Sequence, residues 1–482
     1  MLKDNFKQLS LISVIILVLT LFAYIFLAFR ISSNYLPVLS DEFFYYTNAA
    51  SFFENNSLSA ALTYGGNGSR FLGADAHGIA YPVLNGGIAK IFGWNSLNFL
   101  YANFFFVLVS LAINWFQKNI STADKVFISV FILLFPFFTL YGFTFMQESI
   151  HVFFAVTSSF LILNIYKTGK RRYLILFMLV IVIAGLFRPL WFFWLIGLLP
   201  FAKNKLQHYV FAVFFIIGIT ASFFYAYYFA EAVPNYFSSL INLFAEGNVK
   251  EGIFSIARHF AANVYFYFFS TEDNLIYLPL KYLVFIAFII FAVKAVKYKT
   301  KLYISIALIG ALNFCLLFFL YDVFKWREIR VLAPFFYFCI PYLVTEVKNY
   351  FKHIQLAVLS VLFLLALPMA NQWIKDRKRH TMNEIINYTN AYNLIAQAVE
   401  KNSLILINYV PADDGLDLIS LPVKNISGSA IKYIVPYYKL KKEKYRYILS
   451  EPPATPVGAT LILNKYYKLE KVSESNIFLQ MP

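Results

Sequence analysis

The run YLILFMLVIVIAGLFRPLWFFWLIGLLPF, Tyr173–Phe201, decides the fold class. Its only charged residue is Arg188, and about 20 apolar residues suffice to cross the hydrocarbon core of a bilayer as a helix. Similar runs recur along the chain of 482 residues, which is 60% hydrophobic and only 14% charged. Because these runs are continuous and do not alternate with a period of two, a transmembrane β-barrel is excluded. The sequence predicts a polytopic α-helical membrane protein.

The same run contains a predicted break. Basic clusters flank both of its ends, at 167–172 and at Lys203 and Lys205. Cytoplasmic loops collect Lys and Arg, so a single span would place one cluster on the wrong side. Pro189 disfavours the helical conformation of Arg188, and an arginine facing lipid in mid-bilayer is expensive. We therefore expect two short, broken helices with Arg188 at their outer tip.

The remaining apolar runs define the topology. They are expected as spans at Leu9–Phe29, Leu97–Phe116, Val126–Tyr141, Ile150–Tyr166, Tyr209–Ala230, Ile276–Val293, Leu302–Leu320, Val331–Val347 and Ile354–Trp373. The first is interpreted as an uncleaved signal anchor, because it is long and no small-residue cleavage site follows it. The basic short loops place the N-terminus in the cytoplasm and loops 30–80, 231–275 and 321–330 outside. The total is about eleven membrane segments, with the C-terminus outside.

The last part of the chain has a different composition. A helix is expected at Thr381–Asn402, and short strands at Leu404–Val410, Lys432–Val435, Tyr445–Leu449 and Ala459–Leu463. We predict a transmembrane catalytic domain at 1–373, with outer loops 30–80 and 231–275, and a small extracytoplasmic α/β domain at 374–482. The net charge of +16 is explained by the Lys and Arg residues that collect in cytoplasmic loops, so no nucleic-acid partner is expected.

Two adjacent carboxylates follow the first span, in LSDEFFYY, Leu39–Tyr46. Asp41 and Glu42 admit two interpretations: a solvated loop start, where acids are common, or a partly desolvated general base for a hydroxyl. Glu148 likewise opens an apolar run, where the helix dipole favours an acid, and it is expected at the same depth as Asp41.

The stretch Asp75–Gly93 is expected to be a loop and then a short helix along the membrane surface that ends at Gly93. His77 could hold a phosphate, ligate a metal or be a surface histidine. No second histidine stands at metal-ligand spacing, so the sequence requires no cofactor, and a divalent metal remains an open alternative.

The stretch KWREIR, Lys325–Arg330, precedes an outer-side helix start. Its basic residues either snorkel at the interface or bind a lipid-linked phosphate through charge-assisted hydrogen bonds. Arg188 would join them on the same side. The chain contains no GxxxxGK[ST], GxGxxG or GxSxG motif, so ATP or nucleotide-sugar chemistry has no support. An enzyme with its acidic residues on the non-cytoplasmic side needs an activated donor on that side of the membrane, and a polyprenyl phosphate-linked sugar is such a donor.

These motifs, in this order, resemble the GT-C glycosyltransferases of the protein O-mannosyltransferase and aminoarabinose-transferase type. Asp41-Glu42 resembles the acidic motif of the first outer loop, and HGIAYP … KIFG, from His77 to Gly93, resembles the family's HPPLY … KLFG stretch. Glu148 opening a span, GLFRP at 185–189 and Arg327/Arg330 before a late helix also match. Gly78-Ile79 replace the usual Pro-Pro, and His77 stands where some members have lysine, which leaves the sugar and any metal open.

The resemblance implies an inverting transfer from a polyprenyl phosphate-linked sugar, such as an undecaprenyl phosphate-sugar, to a hydroxyl on a glycan, lipid or protein acceptor. It implies that Asp41 and Glu42 are the catalytic residues, with Asp41 as the base and with Glu42 or Asp75 positioning the acceptor or the sugar. The remaining implied roles are leaving-phosphate binding for Arg327, Arg330, Arg188 and Lys325, and sugar or acceptor binding for Asp75, His77, Tyr81, Glu148 and Arg70. A bacterial inner or plasma membrane and cell-envelope acceptors, such as O-antigen, lipid A or a wall polymer, would fit this chemistry.

Two other functions stay open on the sequence alone. A flippase or transporter of lipid-linked glycans predicts charged residues lining a path through several spans, and inverted repeats. A glycan ligase or polymerase shares the location and the basic residues of a transferase, and differs in the mass of what is transferred.

Overall fold

A computed structural model of the chain describes its membrane helices and part of its C-terminal sheet. The described residues are 2–31, 40–56, 58, 63–64, 78–95, 97–118, 120–225, 228, 236–270, 277–321, 330–346, 352–375, 404–408, 430–435, 447–450, 469–471 and 477–480.

Most described residues are helical. The helices are α1 Leu2–Phe29, α2 Ser40–Asn55, α3 Ala80–Phe92, α4 Leu97–Trp115, α5 Thr122–Leu134, α6 Pro136–Tyr141, α7 Glu148–Thr168, α8 Arg171–Phe187, α9 Lys205–Phe224, α10 Tyr236–Ala245, α11 Val249–Phe269, α12 Tyr277–Tyr298, α13 Lys301–Leu320, α14 Ala333–Glu346 and α15 Lys352–Lys375. A 3₁₀ helix, Pro189–Phe201, lies between α8 and α9.

Five of these helices, α4, α7, α9, α13 and α15, are long and apolar enough to cross a membrane. Val14–Phe29 within α1 and the 3₁₀ helix are shorter apolar segments. Large apolar side chains such as Phe22, Ile216 and Leu364 are exposed on the outside of the bundle, as lipid-facing side chains are. The chain is therefore an integral membrane protein.

Contacts between helix ends sort the bundle into two faces. Asp124 at the start of α5 pairs with Lys352 at the start of α15, and Lys294 near the end of α12 pairs with Glu346 at the end of α14. The basic short loops lie at these ends, so we call this the basic face. At the other ends of α1 and α15, Arg30 Nη1 donates to Asn371 Oδ1 at 2.8 Å. We call that side the site face.

The predicted break in the 173–201 run is confirmed. Arg188 is extended (φ −146°, ψ 112°) between α8 and the 3₁₀ helix, and Pro189 occupies the first helical position after it. The two helices pack against each other, since a Cβ on Gly185 would meet the Phe192 ring at 2.5 Å. Ser222 Oγ on α9 donates to Pro189 O at 2.8 Å and holds the junction.

A mixed sheet joins the first outer loop to the C-terminal region. Its strands are β1 Thr63–Tyr64, β2 Leu404–Asn408, β3 Ala430–Val435, β4 Tyr447–Ser450, β5 Leu469–Lys471 and β6 Ile477–Gln480, in the order β1-β3-β2-β4-β6-β5. The neighbouring strands β1, β3, β2 and β4 are parallel to one another, and β6 is antiparallel to both of its neighbours, β4 and β5. In the register of β1, Tyr64 lies beside Val435. Residues 63–64 and the C-terminal strands therefore lie on one side of the membrane.

The structure differs from expectation in the outer loops. Residues 40–55 of the 30–80 loop form α2, and α10 and α11 occupy most of the predicted 231–275 loop. α11 packs against the end of α13, where Asn263 Nδ2 donates to Phe318 O at 2.9 Å. These helices form because aromatic side chains of the segments pack on neighbouring helices, as Tyr45 does on Tyr81 and Phe260 on Phe318. The placement of both segments outside the membrane stays a prediction. The expected helix 381–402 and strand 459–463 lie outside the described residues, and the division at 373/374 stays a prediction.

Candidate functional site

Four charged side chains from distant parts of the chain meet on the site face. Arg330 pairs with the Asp41 carboxylate through its Nη2, and its Nε lies 3.6 Å from Glu148 Oε1. Arg188 Nη2 lies 3.8 Å from the same Glu148 oxygen. We call this set the acid–arginine cluster. It links the first turns of α2 and α7, the end of α8 and the turn before α14.

The helix ends explain why these residues meet. Asp41 and Glu148 each lie in a first helical turn, where the helix dipole stabilises a carboxylate. Arg188 occupies the junction after α8, and α8 runs antiparallel to α7, so the end of one helix reaches the start of the other. The cluster is therefore built from element ends that the membrane topology brings to one depth.

The cluster is largely withdrawn from water. The exposed fraction is 6% for the Glu148 side chain, 7% for Arg188 and 8% for Arg330, but 24% for Asp41. Neither Glu148 carboxylate oxygen has a hydrogen-bond partner among the described residues, and within that set the two neighbouring guanidiniums compensate its buried charge. Asp41 is the member of the cluster that a ligand in solvent reaches most easily.

A narrow cleft lies beside the cluster. It is lined by Phe137, Glu148, His151, Val152, Arg188, Arg330, Ala333 and Pro334. Its lining therefore combines the charged side chains of the cluster with apolar side chains from α6, α7 and α14.

Glu42 has different surroundings from Asp41. It is fully buried, and its Oε1 accepts a hydrogen bond from the Phe145 backbone N–H at 2.8 Å. This contact holds the 142–147 segment, which leads directly into Glu148. The structure thus gives Glu42 a supporting contact behind the cluster, and a burial that keeps it from an acceptor.

Tyr81 supports the same segment from α3. Its hydroxyl donates to Phe145 O at 2.9 Å and lies 3.2 Å from Met146 O, and its side chain is fully buried. Burial raises the pKa of Tyr81 well above its ordinary value, and the nearby Glu148 and Glu42 carboxylates raise it further. Tyr81 is therefore a neutral donor at any physiological pH.

Arg70, Asp75, His77, Lys325 and Arg327 lie outside the described residues. Residues that sequence reasoning missed include Gln147, whose amide donates to Tyr45 Oη at 2.8 Å, and His151, which lines the cleft. In the sequence, His151 could have been identified from its position three residues after Glu148, which places both side chains on the same face of a helix.

The located residues do not fit a metal ion. Within the described ranges, no group of three or more His, Cys, Asp and Glu side chains could share one, and Asp41 and Glu148 already face arginines.

No protein-family model matches the chain, and no curated protein matches its sequence. Comparison with solved structures gives 16 matching chains. The Archaeoglobus fulgidus oligosaccharyltransferase, in complex with Zn and sulfate, aligns with a TM-score of 0.52 at 11% identity, over 90% of this chain and 68% of its own.

Two further structures are similar at lower scores. ArnT from Cupriavidus metallidurans bound to undecaprenyl phosphate gives a TM-score of 0.48 at 10% identity, over 98% of this chain and 97% of its own. The archaeal oligosaccharyltransferase AglB from Archaeoglobus fulgidus, with an inhibitory peptide and a dolichol-phosphate, gives 0.49 at 12% identity, over 91% and 69%. The first alignment has a score above 0.5, so this chain shares the fold of the Archaeoglobus fulgidus oligosaccharyltransferase, in agreement with the fold that the GT-C resemblance of its motifs predicted.

Proposed function

We propose that the chain transfers a sugar from a polyprenyl phosphate-linked donor to an acceptor hydroxyl, with inversion at the anomeric carbon. The observation that carries this proposal is the acid–arginine cluster, in which a solvent-accessible carboxylate and two buried guanidiniums share one site at the rim of a membrane bundle. The basic face is then cytoplasmic, and transfer takes place on the non-cytoplasmic side.

In this proposal Asp41 takes the proton from the acceptor hydroxyl. The acceptor oxygen attacks the anomeric carbon as the bond from that carbon to the phosphate oxygen breaks, and the bonding electrons leave with the polyprenyl phosphate. Arg330 and Arg188 stabilise the negative charge that grows on the phosphate. Stabilising charge where it develops contributes more to the rate than binding the ground state does.

Arg330 would couple the two ends of the reaction. It pairs with Asp41 and also faces Glu148. When Asp41 receives a proton it loses its negative charge, and the Arg330 guanidinium becomes available to the phosphate at the moment the phosphate gains charge. The four charges of the cluster sum to zero, so no net charge has to be expelled before the donor enters.

The experiment replaces Asp41 by Asn in the full-length protein. We expect sugar transfer from undecaprenyl phosphate-linked donors to fall about 10²–10⁴-fold, the usual contribution of a general base, with donor binding retained. Glu251→Gln is a matched control, because Glu251 is an exposed acid in the first turn of α11. Near-normal transfer by Asp41→Asn would overturn the role of the base, and no product from any such donor would overturn the function.

Transfer of a whole glycan is the second candidate, because the structure with the higher TM-score is an oligosaccharyltransferase. The same assay separates the two by mass spectrometry, since the product gains either one sugar or a long increment. A flippase is less favoured. Among the described residues, the buried charged side chains all lie near helix ends and line no path through the spans: Glu42, Glu148, Arg188, Lys281, Arg330 and Lys352.

A further inference from the structure

His151 is a buried histidine that the mechanism above does not use. It lies one turn after Glu148 on α7, is 1% exposed, and lines the cleft together with Arg188 and Arg330. A histidine at this depth in an apolar helix is expensive unless a partner or a ligand uses it.

Its protonation is determined by Trp191. The indole Nε1 of Trp191 lies 3.0 Å from His151 Nδ1. An indole nitrogen can only donate, so Nδ1 must be the acceptor and must carry a lone pair. The proton of the neutral ring is therefore on Nε2, and an imidazolium would lose this bond because both of its nitrogens are donors. His151 is held as a neutral ring with an Nε2–H donor.

Trp191 is itself held rigidly. It is 3% exposed, and its ring packs 4.3 Å from that of Trp194 and 5.9 Å from that of Phe154. It lies on the 3₁₀ helix that starts immediately after Arg188, so one short segment carries both the arginine and the residue that orients the histidine.

We propose that His151 is a further binding residue for the phosphate of the lipid-linked donor, with Trp191 as its positioning residue. The Nε2–H donates to a phosphate oxygen beside Arg188 and Arg330. The position favours the phosphate over the sugar, because His151 lines the cleft together with the two arginines that would hold the phosphate. A neutral donor also adds a hydrogen bond without disturbing the charge balance of the cluster. This inference rests on the proposed function.

The experiment measures binding of radiolabelled undecaprenyl phosphate to the full-length protein in nanodiscs. His151→Phe removes the donor, and we expect the dissociation constant to rise about 10- to 100-fold, the value of a hydrogen bond to a charged group. His151→Gln places an amide N–H near the position of Nε2 and should bind within about 3-fold of the natural protein, whereas His151→Asn should not rescue binding. His353→Gln is the control, since His353 is exposed at the start of α15.

Trp191→Phe tests the positioning role. It should weaken binding in the natural background, because the ring can then adopt the other tautomer, and should add nothing in the His151→Gln background. Such non-additivity marks residues that act as a unit.

Three results would overturn the inference. If the natural protein binds and His151→Phe binds equally well, His151 has no role in binding, and the proposed function stands. If Gln and Phe at position 151 weaken binding equally and lower the unfolding temperature equally, the histidine is structural. If the natural protein does not bind undecaprenyl phosphate, this inference and the proposed donor both fail.

Discussion

At the scale of single residues, Asp41 and Glu42 show how two adjacent acids can have unlike roles. Consecutive positions on a helix point in directions about 100° apart, so Asp41 faces Arg330 and the solvent while Glu42 faces the 142–147 segment. The sequence motif predicts that acids stand here, and only the packing of α2 distinguishes them.

This difference gives a stability prediction. Glu42→Ala removes the acceptor of the buried Phe145 N–H, and an unsatisfied buried donor costs about 1–3 kcal/mol, so the unfolding temperature should fall. Glu42→Gln keeps an acceptor oxygen and should cost less. Thermal unfolding in detergent measures both, with Asp41→Asn as the neighbouring control. A larger loss for Asp41→Asn than for Glu42→Ala would contradict the assignment.

At the scale of elements, α3 and α8 meet at a glycine. Gly78 has φ +86°, and a Cβ there would collide with the carbonyl oxygen of Leu186 and lie 3.1 Å from that of Phe187, just before Arg188. Gly93, at the other end of α3, has φ +85° with nothing within 4 Å. The two glycines have similar φ and differ in their surroundings.

We therefore predict that Gly93→Ala and Gly78→Ala have different effects. Both pay for the left-handed backbone, about 1–3 kcal/mol. Only Gly78→Ala also pushes the end of α8 and so displaces Arg188, and small displacements at a site can cost about 10²-fold in rate. Transfer assays and unfolding temperatures should show lower stability in both variants and lower turnover in Gly78→Ala alone. Equal turnover would show that the α3–α8 contact does not position Arg188.

At the scale of the whole molecule, the sheet predicts that a cross-link will form between the two ends of the chain. Tyr64→Cys and Val435→Cys lie at paired positions of β1 and β3, and a Cys315→Ser background removes the exposed natural thiol. We expect a disulfide on mild oxidation. Tyr64→Cys with Ser450→Cys should not cross-link, because β4 lies three strand spacings from β1, beyond disulfide reach. Cross-linking of the control pair alone would contradict this strand order.

Features set by local sequence could be predicted, whereas features set by contacts between distant residues could not. The break at Arg188 and the end of α3 at Gly93 follow from local patterns, and the structure has them. The single span predicted at Val126–Tyr141 is wrong, because the backbone is extended at Phe135, before Pro136, and divides the run into α5 and α6. The pairing of β1 could not be predicted, because two residues carry no periodicity and their partners lie near the other end of the chain. His151 looked like part of a span, since only tertiary packing brings Trp191 to it.

The pairing of β1 with β3 also has a consequence for biosynthesis. Thr63 and Tyr64 are made early, but their partner strand is synthesised after every membrane helix of the described chain. Before residues 430–435 are synthesised, Thr63 and Tyr64 have no partner strand, and an unpaired strand edge is prone to aggregation. A chain truncated before residue 430 would therefore have its membrane helices inserted but would leave Thr63 and Tyr64 without their partner strand. This exposed strand edge would mark the truncated protein for proteolysis.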